Sequence, residues 1–289
     1  MYEKFFKLTE APFQLTPDPR YFFASSVHKR ALGYLTYGLA QGEGFVVVTG
    51  EVGAGKTTLI GHLLATLDPH KFVTSNVVTT QLSGDDMLRM VAQDFGIAQE
   101  GLDKASVLGR LQHYLADVSA RGGRAVVVVD EAQNLTLPAI EELRMLSNLQ
   151  TTKPPGFQIL LLGQPQFRQK MAHRDLAQLR QRVIATYHMG PITVDETREY
   201  IRHRLVQAGW KNDPDITSDA YLAVFYATGG VPRLINLLFS RVLLFAFLEQ
   251  IHAIDAKAVD QVAEDMRTEF DGWRPRTPQS ATARPAAHH

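Results

Sequence analysis

The run Gly50-Glu51-Val52-Gly53-Ala54-Gly55-Lys56-Thr57 sets glycines ahead of a lysine and a hydroxyl side chain. Glycine tolerates backbone conformations that turn successive N–H groups toward one point, which suits an anion with several oxygens. The pattern is G-x-x-x-x-G-K-[ST], a phosphate-binding loop when a buried strand leads in and a helix leads out. Both flanks fit. Phe45-Val46-Val47-Val48-Thr49 is an apolar, β-branched run, and the residues from about Lys56 read as a helix whose positive dipole end faces the loop. In that chemistry Lys56 reaches the β- and γ-phosphates of ATP and the Thr57 hydroxyl ligates Mg²⁺. The loop backbone, with Thr58 on the first helical turn, completes the nucleotide-binding set.

Asp130-Glu131 ends a second apolar run, Val126-Val127-Val128-Val129. An acidic pair at the C-terminal end of a parallel strand lies on the edge where ligands bind in open α/β sheets. Asp130 would hold Mg²⁺ through water, and Glu131 would polarise the attacking water as general base. An acidic helix N-terminus gives the same pair; the phosphate loop at another strand end weighs toward the metal. A third run, residues 157–162, leads through Gly163 to Gln164. If this strand lies between the other two, Gln164 orients the lytic water against the γ-phosphate. An exposed loop glutamine fits the residues equally well.

The elements that must carry these residues follow from periodicity. Buried strands are expected at 45–49, 72–79, 125–129, 157–162 and 183–188, with helices between them at 57–67, 86–95, 106–120 and 138–149. The alternation implies right-handed βαβ units. Ahead of them, residues 1–26 are dense in aromatics and interrupted by Pro12, Pro17 and Pro19, which predicts an ordered, non-helical arm packed on the body, followed by a helix at 28–39. After Pro191 the strand signal stops. Helices are expected at 195–208, 218–227, 232–249 and 256–267, with Asp195 and Ser218 as N-caps. The expected division is an arm and helix at 1–40, an α/β core at 41–190, a helical domain at 191–270 and a disordered tail at 271–289.

The 289 residues carry 30 Lys+Arg and 30 Asp+Glu, so no global charge draws the chain to nucleic acid or anionic lipid. Cysteine is absent, which excludes disulfides and thiolate zinc sites. The N-terminus lacks the apolar run of a signal peptide. The most apolar stretch, 234–248, is shorter than the roughly 20 residues of a membrane span and reads as a buried helix. The expectation is a cytoplasmic protein without a transmembrane segment. His28 and His62 lack the spacing of metal ligands, and Trp210 reads as a loop cap.

The motifs together resemble the AAA+ ATPases, and within them the secretion-ATPase group related to ExeA, particularly the ATPases encoded with exosortase and PEP-CTERM sorting systems. The likeness runs from residue 1 to about 267. It is carried by Phe13-Gln14-Leu15-Thr16-Pro17-Asp18-Pro19-Arg20, Asp130-Glu131-Ala132-Gln133, Leu162-Gly163-Gln164-Pro165, Leu179-Arg180-Gln181-Arg182-Val183 and Gly230-Val231-Pro232-Arg233. The resemblance implies a P-loop AAA+ fold with a five-stranded parallel sheet and an all-helical lid. It implies Gln164 at the sensor-1 position, Arg233 as the lid arginine that touches nucleotide phosphates, and Arg182 or Arg180 as the arginine finger entering a neighbouring subunit's site. It places the arm near the nucleotide, with Tyr21 and His28 toward the adenine.

What the resemblance implies in function is an ATP-hydrolysing switch or motor that assembles as a homo-oligomeric ring or filament. It would act with a protein partner in exopolysaccharide export or exosortase-linked sorting, peripheral at the inner membrane through that partner. The same core resembles DNA-transposition regulators of the TniB group. DNA binding would draw on Arg198, Arg202 and Arg204, or on Arg168, Lys170 and Arg174; interleaved Asp175, Glu196 and Glu199 make a mixed solvated face the preferred reading. A non-hydrolysing scaffold is disfavoured by the intact Asp130-Glu131 pair, and a small-molecule kinase by the lack of an acceptor-pocket signature.

Overall fold

A computed structural model describes residues 1–16, 18–78, 83–149 and 157–269. In chain order the elements are α1 (Tyr2–Phe5), α2 (Ser26–Gln41), β1 (Phe45–Gly50), α3 (Lys56–Thr66), β2 (Phe72–Val78), α4 (Gly84–Asp94), α5 (Lys104–Ala120), β3 (Arg124–Asp130), α6 (Leu137–Leu146), β4 (Phe157–Gly163), α7 (Pro165–Met171), α8 (Ala177–Arg180), β5 (Val183–Met189), α9 (Val194–Gln207), β6 (Asp215–Ile216), α10 (Ser218–Thr228), α11 (Pro232–Leu248), β7 (Ala253–Ile254) and α12 (Ala256–Glu269). They fall into two compact units: Pro17–Gly190, and Met1–Thr16 together with the described residues from Pro191 onward. Thr79, Phe270 and the tail expected at 271–289 lie outside the described residues.

The first unit is built on a parallel sheet of order β2-β3-β4-β1-β5. The three inner strands are apolar without alternation because both of their faces are covered, while β2 and β5 alternate between buried and exposed residues as edge strands do. Val46, Val48, Val126, Val128, Leu160 and Leu162 bury one face against α2 and α3 through Leu35, Leu39, Leu59 and Leu63. Val47, Val127, Val129, Ile159 and Leu161 bury the other, against Met87, Leu88, Leu111, Ile140 and Leu143. A Cβ on Gly38 of α2 would stand 2.1 Å from Val46 Cγ2, so only glycine lets this helix lie so close to β1. Because every strand runs the same way, the ends of β1, β3 and β4 meet at one edge. The strand order sets β4 between β1 and β3.

In the second unit, α9, α11 and α12 each pack on α10, and Ile235, Leu238, Phe239, Val242 and Leu243 of α11 are fully buried. Among the described residues no helix is long and apolar enough to cross a membrane. Residues 1–40 do not form one unit. The chain up to Thr16 belongs to the helical unit, where Phe13 packs 5.0 Å from Phe239. The buried Arg204 there donates from Nε to the Pro12 carbonyl at 2.6 Å and from Nη2 to the Gln14 carbonyl at 3.2 Å. The helix α2, by contrast, belongs to the sheet unit.

Three local expectations are corrected. The N-cap of α9 is Thr193, in a capping box with Glu196, and that of α10 is Thr217; Asp195 and Ser218 already lie inside the first turns. Strand structure also does not stop at Pro191. The pair β6 and β7 forms a two-stranded parallel sheet too short to leave a periodic signal. Of the α9 cations read as part of a mixed solvated face, Arg204 is buried and holds the arm, while Arg202 and Arg198 are exposed and lie over the Trp210 ring at 5.4 Å and the Tyr221 ring at 5.8 Å. Trp210 itself donates from its indole to the Pro214 carbonyl at 3.0 Å, closing the loop after α9.

Candidate nucleotide site

At the end of β1 the chain turns through Gly53 (φ 82°) and Gly55 (φ 89°), both left-handed, into α3. Gly55 is the N-cap of α3 and offers no side chain to the helix, so the first N–H groups stay available to a ligand. A Cβ there would lie 2.5 Å from His28 Nε2. His28 is itself fixed by a 2.7 Å hydrogen bond between its Nδ1 and Ser25 Oγ at the start of α2. The loop's shape therefore depends on a glycine backbone braced by a histidine from another helix. Val52 stands exposed at the loop tip, Ala54 is buried, and Thr58 is half-buried on the first turn of α3.

Lys56 is buried and donates to the carbonyls of Gly50 at 2.9 Å and Glu51 at 3.1 Å. Burial lowers its pKa, and the carboxylates of Glu131, Asp130 and Glu51 act against that shift. Thr57 Oγ1 donates to Asp130 Oδ2 at 2.6 Å, and Asp130 Oδ1 accepts from the Glu131 N–H at 2.8 Å. Glu131 takes a left-handed backbone (φ 53°), a strained state of order 1–3 kcal/mol for a non-glycine residue that persists where surrounding contacts hold it. Its Oε2 accepts from Gln133 Nε2 and, at 3.1 Å, from Gln164 Nε2. The Gln164 N–H donates in turn to Gln133 Oε1 at 2.9 Å. The structure thus gathers Lys56, Thr57, Asp130, Glu131 and Gln164 at one sheet edge.

Two further expected residues, Arg182 and Arg180, have their partners elsewhere in the sheet unit. Arg182 precedes β5. Its carbonyl accepts from Phe45 N–H at the start of β1, and its Nη1 donates to the Ser147 carbonyl at 3.3 Å. The register pairs Phe45 with Val183 and Gly50 with Met189. Arg182 is therefore at the opposite end of the strands from its own phosphate loop, about 20 Å away at 3.3 Å per residue. Arg180 Nη1 donates to the carbonyls of Met171 and His173 at 2.7 and 2.6 Å and closes the end of α7. Arg233 is exposed on the first turn of α11, in the helical unit.

Two residues escaped the sequence reading. Gln133 was visible as part of a motif, but its bond to Glu131 depends on a one-turn 3-10 helix, Ala132–Asn134, that follows the left-handed Glu131. His188 pairs with Thr49 in the β1–β5 register, and its Nδ1 lies 3.1 Å from Thr49 Oγ1. Only the register of a parallel edge strand brings it there.

Residues 39–171 match the AAA domain family. Solved structures similar to this chain include the Aeropyrum pernix ORC2 protein in its ADP form (TM-score 0.64, 14% identity, 88% of this chain and 72% of that one). The Thermotoga maritima RuvB Holliday junction branch migration motor follows with TM-score 0.55 and 18% identity, over 86% of this chain and 71% of that one. The Drosophila ORC bound to DNA gives TM-score 0.62 and 15% identity, over 90% and 67%. The fold is that of a P-loop AAA+ NTPase. Identities this low establish the architecture of the AAA+ core and nothing further. By sequence, the chain is 40% identical over 257 residues to General secretion pathway protein A of Aeromonas hydrophila, across 88% of this chain and 46% of that protein. The chain thus spans about half the length of that curated relative.

Proposed function

We propose that this chain is an ExeA-like AAA+ ATPase that binds ATP with Mg²⁺ and hydrolyses it at the edge formed by β1, β3 and β4. The observation that carries the reading is the convergence there of a phosphate cradle, a buried lysine and the Thr57–Asp130 pair with a restrained glutamate. The donor set fits magnesium: Thr57 and Asp130 present oxygen ligands 2.6 Å apart, the chemistry a small hard cation selects. Thr57 and Asp130 would hold Mg²⁺, which would supply positive charge against the negative charge of the phosphates. The α3 N–H groups and Lys56 bind the phosphates, with Lys56 exchanging the carbonyls it now holds for phosphate oxygens. Glu131 accepts the proton of the attacking water. Gln164 and Gln133 are positioning residues for that carboxylate.

Arg182 completes the reading. At about 20 Å from its own loop it has no role at the nucleotide of the same chain, but it is exposed, and to enter a second copy's site it would give up only its 3.3 Å bonds to Ser147. We assign it, ahead of Arg180, as the arginine acting between subunits of a homo-oligomer, with Arg233 contacting phosphate from the lid. The 40% identity to a general secretion pathway protein supports a role in secretion, and export of polysaccharide or exosortase-linked sorting is the finer form we favour. A DNA-bound role is the second reading: of its candidate cations Arg204 and Lys170 are held by carbonyls and Arg198 and Arg202 lie over aromatic rings, while Arg168 and Arg174 are exposed. The test is turnover per chain against protein concentration, with and without double-stranded DNA. A shared site gives a rate that rises with concentration and collapses in Arg182→Ala. A flat rate with an unaffected variant rules out the shared arginine, and stimulation by DNA would overturn the preference for secretion.

A further inference from the structure

Beside the phosphate loop, on the sheet face opposite α2 and α3, the molecule carries a second opening that the ATPase reading does not use. It is a groove of about 550 Å³, within the range of small-molecule sites. Its floor is apolar, from Val47 of β1 and Met171 of α7, and its rim carries Thr49, Arg168, Arg180 and His188. Among the described residues that line it, none is acidic.

The rim cations differ in availability. Arg180 already holds the carbonyls at the end of α7 and serves as a wall. Arg168 is exposed, and among the described residues its guanidinium has no ion-pair or hydrogen-bond partner. His188 is oriented by its Nδ1 contact to Thr49 Oγ1, which leaves Nε2 for a ligand. The charged groups acting on His188 are Arg168 from α7, Glu51 from the loop and Lys56 from α3. A guanidinium without a counter-ion beside an oriented imidazole, over an apolar floor, is an arrangement that binds an anionic head carrying an apolar body.

We propose that this groove is a second ligand site, distinct from the nucleotide site, that takes a small organic anion with its phosphate or carboxylate between Arg168 and His188 and its apolar part on Val47 and Met171. The site does not depend on the ATPase reading, since the groove and its charges exist whether or not the loop turns over nucleotide.

The test is isothermal titration calorimetry on the full chain saturated with Mg²⁺ and ATPγS, so that the phosphate loop is filled. Phenyl phosphate and phenylacetate serve as separate probes. Saturable binding of at least one probe at one per chain is expected, and which of the two binds identifies the head group. Arg168→Ala should weaken it about tenfold or more, the loss expected for one charge-assisted hydrogen bond. Arg174→Ala, which removes an exposed cation outside the groove, should bind as wild type does. Absence of saturable binding for both probes overturns the site, as does equal affinity in wild type and Arg168→Ala. Unchanged thermal midpoints of both variants without probe would show that the loss is local.

Discussion

Gly55→Ala tests whether the phosphate loop is held in the observed shape by its neighbours. Two costs can be worked from the structure. An alanine at φ 89° pays the left-handed penalty, about 1–2 kcal/mol. Its Cβ would also meet His28 Nε2 at 2.5 Å, so the ring must move and give up its 2.7 Å bond to Ser25, worth about 1 kcal/mol. The sum, about 2–3 kcal/mol, appears as lost stability if the loop keeps its shape and as lost affinity if it relaxes. Denaturant unfolding and equilibrium binding of a fluorescent ATP analogue should therefore be read together. If the whole cost falls on binding, affinity drops about 30- to 150-fold, at 1.4 kcal/mol per factor of ten. His28→Ala removes the ring, so the double variant should recover the steric share, about 1 kcal/mol, and keep the backbone share. Strict additivity of the two substitutions would refute the claim that His28 braces Gly55.

Other outcomes follow from the same contacts. Gly38→Ala should destabilise the sheet unit by about 1–3 kcal/mol through overpacking against Val46, measured as a lower denaturation midpoint with unchanged slope. Burial lowers the pKa of both His188 and His203 below the usual 6.5, with nearby arginines adding to the shift. A histidine harder to protonate when folded means that the unfolded chain binds more protons, so stability falls as pH drops below about 6.5. Thermal midpoints across that window should decline less steeply in His203→Gln. Removing Mg²⁺ with EDTA should abolish turnover while nucleotide binding through the α3 N–H groups and Lys56 persists, seen as phosphate release lost with retained analogue fluorescence.

The strand, glycine turn and helix around Gly50 to Thr57 were legible in the sequence because the motif fixes residue types at short spacing. Gly50 to Thr57 needs no tertiary information. The buried strands were legible for a related reason, since strands covered on both faces must be apolar throughout. What could not be read depends on register and distance along the chain. Gln164 acquires meaning only from the strand order that sets β4 between β1 and β3. His188 meets Thr49 across 139 positions. Arg204 looked like one of several surface cations on an amphipathic helix, yet its partners are carbonyls 190 and 192 positions away in the arm. The arm itself was expected as one piece with the helix after it, because aromatic density marks burial without saying against what.

The central claim is that Glu131, poised by Gln164 and Gln133, activates water at a site that binds ATP without it. The most direct measurement is phosphate release with Mg²⁺ and ATP by purified wild type and Glu131→Gln, alongside equilibrium ATP binding. The account expects binding unchanged and turnover lowered about 10²- to 10⁴-fold, the range for loss of a general base. Equal turnover in the two proteins, or loss of ATP binding in the variant, would contradict it.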